Sequence, residues 1–382
     1  MQDIQNELEQ LKSNDMFRQI SSIQKKEGEY VFVNGEKLIN FSSNDYLGIS
    51  TDKELVKEFI EKYSNSSEFC FSSASARLLS GTSDIYSKLE KNLAHIFQKE
   101  SALLFNTGFQ CNLGVISSII SQGDVIFSDK LNHASIIDGM RLSGAAFFRY
   151  KHLDYDNLES LLIKHRNKYK RAIIISESLF SMDGDFAEID KLIELKKKYD
   201  ALLMIDEAHA FCAIDDNCAG MSNYKDVDII TATFGKALAS FGAFVVASKS
   251  VIEYITNKAR SFIFSTSIPP VNIMWTNWLL SEKWEYMQYR RTQLSTLVVK
   301  IHKLLKDLNI RTASESQIIP IILNTPTQAG ELAKNLENYG YFVLPIRPPS
   351  VPIGTSRLRL SLTANMEYDR IKQLFELISH EI

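Results

Sequence analysis

Short apolar runs alternate with segments of helical period along most of this chain. The runs are Ala102-Leu-Leu-Phe105, Val125-Ile-Phe127, Ala145-Ala-Phe-Phe148, Ala172-Ile-Ile-Ile-Ser176, Ala201-Leu-Leu-Met-Ile205, Ile229-Ile-Thr231 and Ala243-Phe-Val-Val246. Apolar runs this short read as strands covered on both faces, as in a parallel sheet flanked by helices. Between them, the segments 113–120, 158–169 and 189–199 space their apolar residues as one buried helix face requires. The stretch from Ile4 to Ile20, with Leu8, Leu11 and Phe17, predicts a helix ahead of the first strands. After Ser267-Ile-Pro-Pro270 the character changes. A long helical stretch runs to about Leu308, followed by an apolar run at 318–323, a helix near Leu332, and strand-like runs at 342–346 and 357–362. The pattern predicts an α/β fold with a large, mainly parallel-sheet domain and a smaller α+β C-terminal domain. Its expected divisions are a helix and arm over 1–45, the large domain over 46–270 and the smaller one over 271–382.

A chain of 382 residues has room for both. Lys and Arg number 43 against 46 Asp and Glu, a net charge of −3 with no long basic block, which argues against a nucleic-acid partner. The first residues lack a basic region followed by an apolar one, and no apolar stretch approaches membrane-spanning length, so the expected location is the cytoplasm. Cys70, Cys111, Cys212 and Cys218 show no metal-ligand spacing and are too few for a disulfide framework, which predicts free and mostly buried thiols and no metal.

Chemistry enters at the strand ends, where ligands gather in open α/β sheets. Lys236, in Thr231-Ala-Thr-Phe-Gly-Lys236, follows Met204-Ile-Asp206-Glu-Ala-His209, and the two segments together resemble a pyridoxal phosphate site. A cofactor aldehyde needs a lysine amine to form a Schiff base. Its ring nitrogen needs a carboxylate to stay protonated, so that the ring accepts electrons from a substrate carbanion. Asn106-Thr-Gly108-Phe109 follows a strand and opens a helix, where backbone amides suit a phosphate. Asp129-Lys-Leu-Asn-His133 places an imidazole beside a pyridine ring, Glu177-Ser-Leu-Phe-Ser181 adds a carboxylate and a hydroxyl, and Thr233 stands close before Lys236. Taken singly, each has an ordinary reading: a solvated lysine, an interior histidine, a plain strand-to-helix turn. Their succession at consecutive strand ends gives them weight. His95, His152, His165, His302 and His380 lack such company and read as surface or packing residues.

These segments, with Asn40-Phe-Ser-Ser-Asn44-Asp-Tyr-Leu-Gly48, Arg77-Leu-Leu-Ser-Gly81 and Ser265-Thr266-Ser-Ile-Pro-Pro270, resemble the α-oxoamine synthases. These are fold-type I pyridoxal phosphate enzymes that join an amino acid to an acyl thioester, and the resemblance runs from about Arg18 to Thr363. It implies that Lys236 carries pyridoxal 5'-phosphate as a Schiff base, Asp206 pairs with the ring nitrogen, His209 with the phenolic oxygen, and His133 stacks on the ring. It implies cofactor contacts for Gly108, Phe109, Ser181 and Thr233, and a reach of Ser265 and Thr266 to the phosphate of a partner subunit in a homodimer. Arg18, Asn44, His133, Ser350 and Arg359 match substrate-side positions, with Arg359 on the amino-acid carboxylate, a task suited to its planar fork. Lys236, His133 and Asp206 would be the catalytic residues, Lys236 also removing the α-proton.

Within the family, the run from Ile346 to Thr363 resembles the member that condenses L-alanine with a pimeloyl thioester, carried on an acyl-carrier protein or on coenzyme A. Members that use glycine or serine share the same cofactor residues, and a non-catalytic homologue acting as a partner subunit would share the fold. Three departures stand out. Glu68-Phe-Cys-Phe-Ser-Ser-Ala-Ser-Ala76 replaces a glycine-rich loop, Ala210, Cys212 and Ala239 replace glycines, and Ser350 replaces a threonine. Lost glycines imply a differently shaped or stiffer acyl channel.

Overall fold

The computed structural model describes residues 2–215, 218–220 and 224–381. The chain divides into two compact units, one made of Met1–Asp52, Ser181–Asp185 and Thr292–Ile382, the other of Lys53–Phe180 and Phe186–Arg291.

The first unit begins with a helix over Gln2–Ser13, shorter than the expected 4–20. Its stop is local: Asp15 takes a left-handed φ of 54°, and the Met16 N–H reaches back to Leu11 O at 2.8 Å, closing the last turn as a Schellman-type cap does. Three antiparallel strands follow, β1 (Ile23–Glu27), β2 (Tyr30–Val33) and β3 (Glu36–Asn40). Asn34 and Gly35, at φ 50° and 86°, turn β2 into β3, the two-residue hairpin that an Asn-Gly pair favours.

The second unit is built on seven strands: β4 (Ser101–Phe105), β5 (Val125–Asp129), β6 (Ala146–Tyr150), β7 (Ala172–Glu177), β8 (Leu202–Asp206), β9 (Ile229–Thr233) and β10 (Ala243–Ala247). Their order across the sheet is β4-β10-β9-β8-β7-β5-β6, parallel except for β10, which runs antiparallel to both its neighbours. Every position of β5, β7 and β10 is buried, as strands with helices on both faces require. At β6 the expectation of two covered faces fails. It is the edge strand, so Phe147 is exposed while Phe148 stacks on the His165 ring at 3.8 Å between centroids. The core under the sheet joins Phe105, Val115, Ile126, Ile136, Ile173 and Val245. Strand order reverses between β5 and β7, the switch point at which α/β sheets open a ligand crevice.

One long helix was expected after residue 270; two form, Pro270–Ser281 and Trp284–Asp307. The first closes where the Glu282 and Lys283 N–H groups both converge on Trp278 O. The second carries the chain back into the first unit, which adds β11 (Ile318–Asn324), a helix over Pro326–Asn338, β12 (Tyr341–Phe342), β13 (Pro345–Ile346) and β14 (Ser356–Ser361). That helix starts with a reciprocal capping box between Thr325 and Gln328. The run read as one strand over 342–346 is split. β12 pairs parallel with β3 in a four-stranded sheet, whereas β13 pairs with β14 in a three-stranded sheet of order β11-β14-β13. No helix of the described residues is long and apolar enough to cross a membrane.

Candidate active site

In the second unit, the polar residues expected at strand ends sit where the carboxyl ends of β5, β7, β8 and β9 converge. Asp129, the last residue of β5, is fully buried and organises the turn after it. Its oxygens accept from the Leu131 N–H at 2.8 Å and the Leu153 N–H at 3.0 Å, and His152 Nδ1 lies 2.9 Å away. Asn132 then ties this turn to the sheet, donating to Ser128 Oγ at 2.9 Å and Ile175 O at 2.8 Å. The chain is thereby turned so that His133 caps the helix over Ala134–Ser143, its Nδ1 accepting from the Ser135 N–H.

Asp206 ends β8, buried. One of its oxygens accepts from the Ala208 N–H at 2.9 Å, the other from Asn112 Nδ2 at 2.7 Å. Asn112 also donates to Ser135 Oγ at 3.0 Å and accepts from Thr231 Oγ1 at 2.8 Å. Glu177 ends β7, wholly buried, with Oε1 accepting from the His133 N–H at 2.6 Å. Burial, reinforced by the negative charge of Asp206, pushes the Glu177 carboxyl up to about 8, while Lys236 and the His133 N–H pull it back. Burial also holds the His133 imidazole below its ordinary range; Asp206 works against this and Lys236 with it. Lys236 is half-buried in a tight loop after β9. Thr233 Oγ1 shapes that loop, accepting from the Gly235 N–H at 3.1 Å and donating to Gly242 O at 2.9 Å. His209 lies buried in the turn after Asp206.

Gly108 and Phe109 open the helix over Gly108–Ile119, whose N-cap Thr107 accepts from the Gln110 N–H at 3.1 Å. A side chain at Gly108 would come within 3.6 Å of Thr233, so its absence leaves the helix N-terminus open beside that hydroxyl-bearing residue. Ser265 and Thr266 share the lining of a small cavity with Asn106, whose amide donates to Thr266 O at 2.7 Å.

Of the substrate-side residues, His133 belongs to the second unit, while Arg18, Asn44, Ser350 and Arg359 belong to the first, where they form two groups. Arg18 donates to Ser350 Oγ and Pro348 O, each at 3.3 Å. Arg359 lies buried on β14 and donates to Ser181 O at 2.5 Å, Ser361 Oγ at 2.7 Å and Tyr46 OH at 3.2 Å; Tyr46 in turn donates to Asn44 Oδ1. Its neighbour on the same face, Arg357, is paired with Asp183 at 2.7 Å. Among the described residues Arg359 meets neutral acceptors and no carboxylate. A desolvated guanidinium without a countercharge is costly to keep buried.

Several residues of this arrangement were not singled out from the sequence. Asn112, Ser135 and Thr231 each read as ordinary polar residues; the available signal was an Asn on the buried face of an apolar helix, where a polar group must find partners. The altered glycine positions carry a backbone signature. Cys212 and Ala239 keep left-handed φ values of 58° and 45°, and Ala74 in the loop before Arg77 sits at 49°. At these three positions the backbone takes a conformation that glycine adopts more readily than a side-chain-bearing residue.

This doubly wound sheet with its cluster of ionisable groups at the switch point defines a member of the aminotransferase class I and II family, whose pattern matches residues 36–378. The chain belongs to that family. Within it, the chain is similar to the 8-amino-7-oxononanoate synthase of Haemophilus ducreyi, at 42% identity over 351 residues, covering 89% of this chain and 90% of that protein. The enzyme of that name from Chlorobaculum parvum is 39% identical over 378 residues, covering 97% and 96%. Among solved structures, serine palmitoyltransferase from S. paucimobilis, with bound PLP and myriocin, shares the fold at a TM-score of 0.89 and 24% identity, covering 99% of this chain and 96% of that one.

Proposed function

We propose that this chain condenses L-alanine with a pimeloyl thioester, releasing carbon dioxide and a thiol and forming 8-amino-7-oxononanoate, a step of biotin biosynthesis. One observation carries the reading. A buried carboxylate (Asp206), an imidazole (His133) and a lysine (Lys236) sit at or just after the ends of three strands of one sheet, close enough for the carboxylate and the lysine each to act on the imidazole. The full-length likeness to enzymes of that name supports the choice of reaction.

The residues fit pyridoxal 5'-phosphate by their chemistry. Asp206 accepts through both oxygens, as an ionised carboxylate does, and suits a protonated ring nitrogen. His209 suits the phenolic oxygen, and His133 offers its face to the ring. The helix N-terminus at Gly108 and Phe109, with the Thr233 hydroxyl, suits the phosphate; Ser181 would be a further cofactor contact, and Ser265 and Thr266 would reach the phosphate of the partner subunit. When bound, the cofactor supplies an aldehyde for lysine or substrate amines and a ring that accepts the electron pair left when a bond to the α-carbon breaks.

Lys236 would anchor the cofactor, and its amine would be the base that takes the α-proton. Asp206 would hold the proton on the ring nitrogen. Arg359 holds the alanine carboxylate, its position fixed by Ser181, Ser361 and Tyr46. Arg18, Asn44 and Ser350 line the acyl side, and His133 donates to the acyl oxygen as negative charge develops there. The enzyme works as a cytoplasmic homodimer, and its pimeloyl donor reaches it on an acyl-carrier protein or on coenzyme A.

Reducing the cofactor-loaded chain with borohydride and mapping the modified peptide tests the assignment. The adduct is expected on Lys236 and absent in Lys236→Ala; an adduct on another lysine, or none in the wild type, contradicts it.

A further inference from the structure

The polar groups around Asp206 form a directed chain that ends on His133. An ionised carboxylate only accepts hydrogen bonds, so the Asn112 atom 2.7 Å from Asp206 is the amide nitrogen, and the amide oxygen is left to accept from Thr231 at 2.8 Å. The second proton of that nitrogen goes to Ser135 Oγ at 3.0 Å. Ser135 therefore accepts from Asn112, and its own proton is free to point at the remaining partner, His133 Nδ1, 2.8 Å away. The Ser135 backbone N–H, at 3.3 Å, approaches the same ring nitrogen. Two donors on one nitrogen require a lone pair there, which leaves the ring proton on Nε2. Glu177 fixes the histidine from the other side by accepting its backbone N–H at 2.6 Å.

We propose that Asn112 and Ser135 are positioning residues that convert the charge of Asp206 into a hydrogen-bond direction, holding His133 as the neutral tautomer protonated on Nε2. His133 is thus a fixed donor. Its basic nitrogen is occupied within the protein, so it offers a proton to a developing oxyanion but takes none from the substrate, and base work falls to Lys236. The depressed proton affinity of the buried imidazole agrees with a neutral ring. The catalytic consequence rests on the function proposed above; the tautomer itself does not.

The test is nitrogen-15 spectroscopy of the full-length chain labelled at histidine, with and without pyridoxal phosphate, taking the signals lost in His133→Asn as those of His133. In the wild type at neutral pH, Nδ1 is expected to be unprotonated and hydrogen-bonded and Nε2 to carry the proton, as one tautomer. Ser135→Ala and Asn112→Ala should each draw the two nitrogen shifts toward one another as the tautomers mix. A proton on Nδ1 in the wild type overturns the proposal without any variant. Unchanged shifts in both folded variants also overturn it. Neither result touches the mapping of Lys236, and failure of that mapping leaves the tautomer result standing.

Discussion

Glu177 is a buried carboxyl held far above its ordinary range, and the direction of its shift sets a pH dependence. Its unfolded value is 4.5 and its folded value about 8. A carboxyl that binds its proton more tightly when folded contributes full stability below the unfolded value and loses it as the pH rises through the folded one. The cofactor-free chain is therefore expected to lose stability between these limits, by an amount on the order of a few kcal/mol. Glu177→Gln keeps an acceptor for the His133 N–H and cannot ionise. Its melting temperature should exceed that of the wild type near pH ~9 and match it near pH ~5; equal differences at both pH values would contradict the assignment. Ala239 offers a second check at this scale. An alanine held at φ 45° carries about 1–2 kcal/mol of backbone strain, partly offset by the lower unfolded-state entropy of alanine, so Ala239→Gly should stabilise by up to about 1 kcal/mol in denaturant unfolding. Single residues were the least legible part of the sequence. Asp206, His133 and Lys236 could be picked out because strand ends are where chemistry gathers. Asn112 and Ser135 could not, because an amide or hydroxyl reveals its role only through partners brought from distant strands.

At the scale of elements, β14 separates structure from chemistry within three residues. Arg357 and Arg359 lie on the same face of the strand, yet only Arg357 is paired with a carboxylate. Arg357→Ala should destabilise the protein by about 1–3 kcal/mol, because it removes a charge-assisted hydrogen bond to a partly buried partner. Arg359→Ala should raise KM for alanine roughly 10- to 100-fold, the worth of a bidentate ionic contact, with a smaller effect on melting. A reversed pattern, with Arg359→Ala mainly unfolding the protein, would return Arg359 to a packing role. The seven strands of the main sheet were readable as apolar runs because central strands have no solvent-facing side. The exposed face of the edge strand β6 and the split over 342–346 were not, since neighbours in the sheet, absent from any sequence window, determine both. The hairpin at Asn34-Gly35 carried a clear turn signal, whereas the helix ending at Ser13 stopped on a backbone conformation at Asp15 that composition does not specify.

For the whole molecule, the second unit exposes Phe71, Leu78, Leu79 and Phe264. The bridge between Ala76 and Thr266, with the Ser267 N–H on Ser75 O at 2.9 Å, draws their two segments side by side. Grouped apolar exposure of this kind fits a protein interface. In the proposed homodimer these residues are covered, so Leu79→Glu combined with Phe264→Glu should convert a dimer to a monomer in sedimentation and abolish turnover. A variant that remains dimeric would exclude this face as the interface. The change of pattern after Pro270 suggested a division there, whereas the two units part after Asp52 and after Arg291. The return of Ser181–Asp185 to the first unit is a tertiary fact that no local pattern announces. The central claim joins all three scales, and the mass of the product tests it most directly. Incubated with pyridoxal phosphate, a pimeloyl thioester and an equimolar mixture of alanine, glycine and serine, the chain should yield the amino ketone derived from alanine. A product built on glycine or serine, or no condensation at all, would contradict it.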